Sequence, residues 1–240
     1  MESGSREYGW ASPSSDYDVR FVYKYPLKRY HSTEPVRRNI TFNVAFWNTT
    51  VDAVGFDIHK FVDLLKKSNP TTIEWLSSNT VYKGDKSLFS LQTWIRHNFD
   101  PQALYIHYMG MAQHNFNKYI ASAGEVPAKR YLYDARAALS ALHLLYFPYE
   151  LPPIDIRKVA SHVATREYVP LESLENLIRS PQKRTSPLSD HDTRNIDEWL
   201  RQLLSSGRLS RNMDSIPRRQ PSEEALMFLN DLIWSVVREE

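Results

Sequence analysis

Apolar and polar positions change period once along this chain. From Tyr17 to Phe56 the period is two. Val19, Phe21 and Tyr23 share one face of a strand over Tyr17–Lys24, and Asp16, Asp18, Arg20 and Lys24 share the other. Ile40, Phe42, Val44 and Phe46 alternate with Thr41, Asn43 and Ala45 in a second strand, and Asn48-Thr49-Thr50 turns the chain into a third, Val51 to Phe56. The expectation is an antiparallel hairpin plus one further strand, with a basic loop from Pro26 to Arg38 between them.

After Phe56 the period becomes helical. Asp57 reads as an N-cap, with Ile58, Phe61 and Leu65 on one stripe, and Asn69-Pro70 stops that helix. Thr71-Thr72-Ile73-Glu74 reads as a capping box opening a short helix. Asp100-Pro101 opens another, in which Tyr105, Met109, Ala112, Phe116 and Tyr119 form a stripe ending near Gly124. Pro127 opens the next, with Leu132, Ala135, Leu139 and Leu142 inward, and Pro152-Pro153 breaks it. Helical patterns return at 155–165, 171–179, 191–205 and 222–238, between Pro/Ser/Arg-rich connectors. The expected fold is α+β: a small mixed or antiparallel sheet domain over residues 1–98, then a helical domain over 99–240.

Composition narrows the chemistry. At 240 residues and 42% hydrophobic, the chain can fill a core, which excludes a disordered class. It has no cysteine, so a disulfide framework, a thiolate zinc site and a Cys nucleophile are all excluded. No apolar run reaches the ~20 residues that span a bilayer, and no signal-peptide pattern opens the chain. The plain expectation is a cytoplasmic protein without a membrane partner. A net charge of +2 gives no wholesale nucleic-acid footprint. The excess is local: Arg20, Lys24, Lys28, Arg29, Arg37 and Arg38 face one acid, Glu34, where positive charge would help hold a phosphorylated ligand. The basic stretch from Pro181 to Pro221 reads as solvated connector.

The densest chemical signal lies at the start, where Gly4-Ser5 is followed after ten residues by Asp16-Tyr17-Asp18 entering a strand. Carboxylates at i and i+2 of a strand point the same way, with Cβ atoms roughly 7 Å apart. Such a pair suits magnesium, which takes a few carboxylates plus phosphate oxygens. Two such ions stabilise the attacking and leaving oxygens of a phosphoryl displacement. A Gly-Ser turn offers backbone N–H groups and a hydroxyl to a phosphate. Asp52, in the third strand, is the expected third carboxylate, and Asp57 is its rival, with an alternative role as helix cap. Lys60 is a candidate phosphate ligand or a solvated helix lysine. Lys129, Tyr133 and Arg136 fall at i, i+4 and i+7, a polar stripe that would clamp phosphate or base, or simply meet solvent. His107 and His114 read as packed or surface residues.

The combination Glu2-Ser3-Gly4-Ser5-Arg6-Glu7-Tyr8-Gly9 with Ser15-Asp16-Tyr17-Asp18-Val19-Arg20 resembles the signature of the polymerase-β-type nucleotidyltransferase superfamily. It is most similar to a branch of bacteria and phages, some of whose members are encoded beside RNA ligases. Asp57-Ile58-His59-Lys60, Tyr105-Ile106-His107-Tyr108 and Lys129-Arg130-Tyr131-Leu132-Tyr133 fit the same branch, and the resemblance covers about residues 2–155. It implies nucleotidyl transfer from a nucleoside triphosphate to an acceptor hydroxyl of an RNA end, a protein or a small molecule, with Mg2+ or Mn2+. Gly4, Ser5 and Arg6 would hold the nucleotide, Asp16 and Asp18 the metal, and Asp52 would complete the metal set and help deprotonate the acceptor. A non-catalytic nucleotide- or RNA-binding module on the same fold is the alternative, and a partner-recruiting tail from Pro181 is a third reading. In that superfamily a helix and a strand precede the Gly-Ser turn, whereas only Met1-Glu2-Ser3 do here, so the expected sheet is N-terminally shortened and gains stability from an upstream extension.

Overall fold

The computed structural model describes residues 1–121, 126–180 and 191–238. The expectations for 122–125, Gly124 among them, and for the connector at 181–190 lie outside the described residues. The chain forms two compact units, one comprising Met1–Asp100 and Arg219–Glu240 and the other Pro101–Arg218. The helix at 223–238, grouped by sequence with the helical part, is counted in the first unit.

The first unit is built on a four-stranded mixed sheet. Its elements run β1 (Glu2–Ser3), α1 (Gly4–Glu7), β2 (Tyr17–Tyr23), α2 (Leu27–Tyr30), β3 (Asn39–Phe46), β4 (Thr49–Asp57), α3 (Ile58–Lys66), α4 (Pro70–Ser77) and α5 (Lys86–Asn98). The strand order is β1-β2-β4-β3. The hairpin β3–β4 is antiparallel, as its alternation predicts, but it turns at Trp47-Asn48, so that Thr49 and Thr50, expected in the turn, pair with Phe46 and Ala45. Strand β2 lies parallel to β4. Two residues ahead of the Gly-Ser turn suffice for an edge strand: Glu2 pairs with Val19 and Ser3 with Asp18, antiparallel.

Asp57 caps α3 as expected, accepting from the His59 amide at 3.1 Å. The capping box at Thr71–Glu74 does not form. Asn69 is the cap, accepting from the Thr71 amide at 3.0 Å, and Pro70 takes the first helical position, where its missing N–H costs nothing. Helix α5 lacks a counterpart in the sequence reading, although Asp85 caps it and Leu88, Leu91, Trp94 and Ile95 bury one side. Behind the sheet, Phe56 stacks on Trp75 with centroids 4.4 Å apart, and Phe61 packs on the same indole at 6.0 Å. All three rings are buried, and truncating such a ring costs about 3–5 kcal/mol. The apolar face expected of β3 is open instead, Phe42 and Val44 being 47% and 48% exposed.

The second unit is helical: α6 (Pro101–Asn115), continued by a π-helical segment Phe116–Ala121, then α7 (Ala128–Tyr146), α8 (Ile156–Ala164), α9 (Leu171–Arg179), α10 (His191–Ser205) and α11 (Arg208–Arg211). In α6 the buried stripe is Leu104, Tyr105, Tyr108 and Ala112, continuing to Phe116; Met109 and Tyr119 are only half-buried. Helix α7 is buried nearly all round, from Tyr131 to Leu144, as expected of a central helix. Leu132, Ala135, Leu139 and Leu142 are indeed inward, but so are Asp134, Arg136 and His143. Helix α12 (Glu223–Arg238) belongs to the first unit, where Trp94 Nε1 donates to the Ala225 carbonyl at 2.9 Å and Lys24 Nζ to that of Val236 at 2.7 Å.

Candidate active site

The chain leaves β1 directly into the four-residue helix α1, and Gly4 makes the corner at φ +62°, a left-handed conformation that glycine adopts without penalty. Glycine is required for a second reason. A Cβ at this position would stand 1.8 Å from Asp18 Oδ2, so the backbone of the Gly-Ser turn lies directly on that carboxylate. Ser5 is buried next to it.

Two buried glutamates fix the turn. Glu2 Oε1 accepts from the amides of Asp18 at 2.7 Å and Ser3 at 3.3 Å, and Tyr82 donates its hydroxyl to Glu2 Oε2. Glu7 accepts from the amides of Asn79 at 3.1 Å and Thr80 at 3.0 Å, tying α1 to the segment after α4. Hydrogen bonds of this charge-assisted kind are about twice as strong as neutral ones.

A polar row crosses three strands. Asp18 on β2 is the register partner of Asp52 on β4, and Asn43 on β3 partners Asp52 from the other side. Registered residues share a face with strands about 4.8 Å apart. Arg20 bridges the first two: its guanidinium donates to Asp18 Oδ1 at 2.8 Å and Asp52 Oδ2 at 3.2 Å, and also to the carbonyl of Asp52 at 2.9 Å. With its carboxamide nitrogen turned toward β4, Asn43 donates to Asp52 Oδ1 at 2.8 Å. Burial pushes Asp18 above the usual carboxylate range; Arg20 opposes this, while Asp52 and Glu2 add to it.

Asp16 sits just outside β2. Its carboxylate is exposed and makes no hydrogen bond or ion pair among the described residues. Arg6 holds the loop that carries it, donating to the carbonyls of Ser15 at 2.7 Å and Asp16 at 3.2 Å and stacking 3.9 Å above the Tyr17 ring. Gly4, Ser5, Arg6, Asp16, Asp18 and Asp52 are thus gathered at one end of the sheet. A convergence of three ligand atoms within 4.8 Å of one another is found among the described residues elsewhere in the chain, and not in the set Asp16, Asp18 and Asp52. In the row itself the Arg20 guanidinium stands between two of the carboxylates, Asp18 and Asp52. The donor set nevertheless fits a hard divalent cation: two neighbouring carboxylates and a third that is unpaired, all oxygen.

Other candidates fall elsewhere. Asp57 lies five residues along β4 from Asp52, about 16 Å away and on the opposite face. It is fully buried as the α3 cap and receives the Tyr30 hydroxyl. Lys60 donates to Asn39 Oδ1 and lies 4.0 Å over the Phe56 ring, at the register of the Asn39–Phe56 pair, about 13 Å along the strand from Asp52. Of the basic loop, Arg29 pairs with Glu34 at 2.8 Å and Arg38 with Asp63 at 3.5 Å. Lys129, Tyr133 and Arg136 belong to the second unit. Lys129 is exposed with its ammonium 5.8 Å from the Tyr133 ring, whereas Arg136 is buried, which corrects the expectation of one solvent-facing stripe. His107 and His114 are exposed. Sequence reasoning missed Arg20, Asn43, Glu2 and Glu7. The alternation did put Arg20 on the face of Asp18, which was the available signal.

A family model described as the RNA repair pathway DNA polymerase beta family matches residues 1–234, well beyond the 155 residues reached by the motifs. An uncharacterised protein of Bacillus subtilis (strain 168), YcgL, is 33% identical over 184 residues, covering 76% of this chain and 68% of its own length. No solved structure matches the chain significantly.

Proposed function

The chain belongs to the RNA repair pathway DNA polymerase beta family, and from that premise we propose that it transfers a nucleotidyl group from a nucleoside triphosphate to a hydroxyl of an RNA end. One observation carries the reading: the Gly4-Ser5 turn lies against the Asp18 carboxylate, and Asp18 is in register with Asp52. A phosphate held by the turn is thereby next to the acids that the reaction needs.

In this reading Gly4 and Ser5 present backbone N–H groups and a hydroxyl to the triphosphate, and Arg6 keeps the Ser15–Asp16 loop in place. Asp16, Asp18 and Asp52 would hold Mg2+ or Mn2+, which supplies charge neutralisation for the phosphates. Asp52 accepts the acceptor proton at a carboxylate oxygen, with Asn43 orienting the other oxygen. Arg20 neutralises Asp18 and Asp52, and with a cation held there its guanidinium would be available to a phosphate oxygen instead. A second reading, a nucleotide- or RNA-binding module without turnover, draws on that same Arg20 bridge, because a permanent guanidinium in the row leaves no place for a cation.

Labelled nucleoside triphosphate, magnesium and total RNA separate the two. Asp18→Asn and Asp52→Asn should each lower label transfer and pyrophosphate release by a hundredfold or more with unchanged circular dichroism. Wild type that binds the triphosphate but releases no pyrophosphate would leave the second reading standing.

A further inference from the structure

Away from the carboxylate row, the second unit brings together three residues that nucleotidyl transfer does not use. His143 stands in the last turn of α7, Glu150 in the turn that follows, and His162 in the last turn of α8. One ligand atom from each, an imidazole nitrogen from either histidine and a carboxylate oxygen, lies within 4.8 Å of the other two. The imidazole rings are stacked with centroids 5.6 Å apart and planes 24° apart. His143 is fully buried, and among the described residues neither of its ring nitrogens makes a hydrogen bond of ordinary geometry, although the backbone of Glu150 lies close to the ring. Leaving such a group unpaired costs about 1–3 kcal/mol, so a site that satisfies it is worth seeking. Phe147 walls the cluster, its ring 5.2 Å from that of His143 and 6.2 Å from that of His162.

We propose that His143, Glu150 and His162 bind a divalent transition-metal cation of the zinc type, joining the end of α7 to the end of α8. Two imidazoles and one carboxylate are a borderline nitrogen and oxygen set that suits zinc and its neighbours, and not magnesium, which demands oxygen. Both histidines lie where helix dipoles present their negative ends, which favours a cation. Ligand atoms around tetrahedral zinc are roughly 3.4 Å apart, given bonds of about 2.1 Å. The exposed side chains of Glu150 and His162 can close the remaining distance by rotation while buried His143 stays fixed. Three protein ligands leave a fourth position for water.

The test uses the full chain, stripped with a chelator, desalted and then titrated with zinc, with cobalt as a spectroscopic substitute. Wild type should retain one zinc per chain after gel filtration and show the visible band of tetrahedral cobalt. Its melting midpoint should rise by about 5 °C or more at zinc a hundredfold above its Kd. His162→Ala and Glu150→Gln, both at exposed positions, should fold as wild type does and lose the retained zinc and the cobalt band. Magnesium at the same concentration should leave the midpoint unchanged. Wild type that retains no zinc overturns the proposal, as does zinc retained equally by both variants, which would put the ion on other histidines.

Discussion

Replacing Gly4 with alanine separates backbone strain from damage to the carboxylate row. Alanine at φ +62° costs about 1–2 kcal/mol from the left-handed conformation alone. The added methyl carbon would begin 1.8 Å from Asp18 Oδ2. Reaching an ordinary contact of about 3.4 Å requires a relative movement of about 1.6 Å, and displacements near 1 Å at a reacting centre cost on the order of a hundredfold in rate. Gly207 provides the control. It has nearly the same backbone angle, φ +65°, but a methyl group there would meet nothing nearer than Arg211 Nη1 at 3.5 Å. Gly4→Ala should therefore lower label transfer from triphosphate to RNA by a hundredfold or more. Gly207→Ala should lose a similar 1–2 kcal/mol in urea melts, with transfer within about twofold of wild type. Transfer by Gly4→Ala within a few-fold of wild type would refute the placement of Asp18 at the reacting phosphate.

Two further substitutions probe charge. Arg20→Gln leaves Asp18 and Asp52 facing each other without their shared guanidinium, a loss of about 2 kcal/mol at neutral pH, below the value for a fully buried pair because both carboxylates are partly solvated. Millimolar magnesium should restore more of the melting midpoint in Arg20→Gln than it adds to wild type; equal responses would count against a cation site in the row. In the second unit, Asp134 is fully buried with neither carboxyl oxygen hydrogen-bonded among the described residues, and burial pushes its pKa up to about 8. The folded state therefore keeps a proton that the unfolded chain releases near pH 4. Stability falls by ~1.4 kcal/mol per pH unit between the ordinary carboxylate range and about pH 8. Asp134→Asn should flatten that slope in urea melts taken from pH 5 to 8, and an unchanged slope would show that Asp134 is already ionised.

Local signals were legible wherever one residue type settles a local geometry. Asp57 as a cap and the strongly amphipathic helices α8, α9, α10 and α12 follow from neighbours a few residues apart. The hairpin turn, by contrast, falls at Trp47-Asn48, one residue before the expected Asn48–Thr50, and α7 ends at Tyr146, before Pro152-Pro153. Helix α5 carried the same kind of signal, an Asp85 cap ahead of Leu88, Leu91, Trp94 and Ile95, but polar residues and the exposed Phe89 interrupt its stripe. At Asn69 two caps compete, and proline at the first helical position decides for the earlier one. The candidate site divides the same way. Gly4, Ser5 and Asp18 were readable because they lie within fifteen residues of one another. Asn43 and the bridging role of Arg20 depend on the parallel register that sets Asp18 against Asp52, 34 positions away, and no local pattern specifies that offset. Arg136 was misplaced because a central helix buried on every side has no polar face to read.

The return of α12 to the sheet-bearing unit has a consequence for synthesis. The ribosome delivers Met1–Asp100 first, then the 118 residues of Pro101–Arg218, and only afterwards the segment that carries the partners of Trp94 and Lys24. The sheet-bearing unit must therefore wait, incomplete, while the residues of a second unit are made between its two segments of sequence. A frameshift or nonsense codon after Arg218 would accordingly injure the half encoded first.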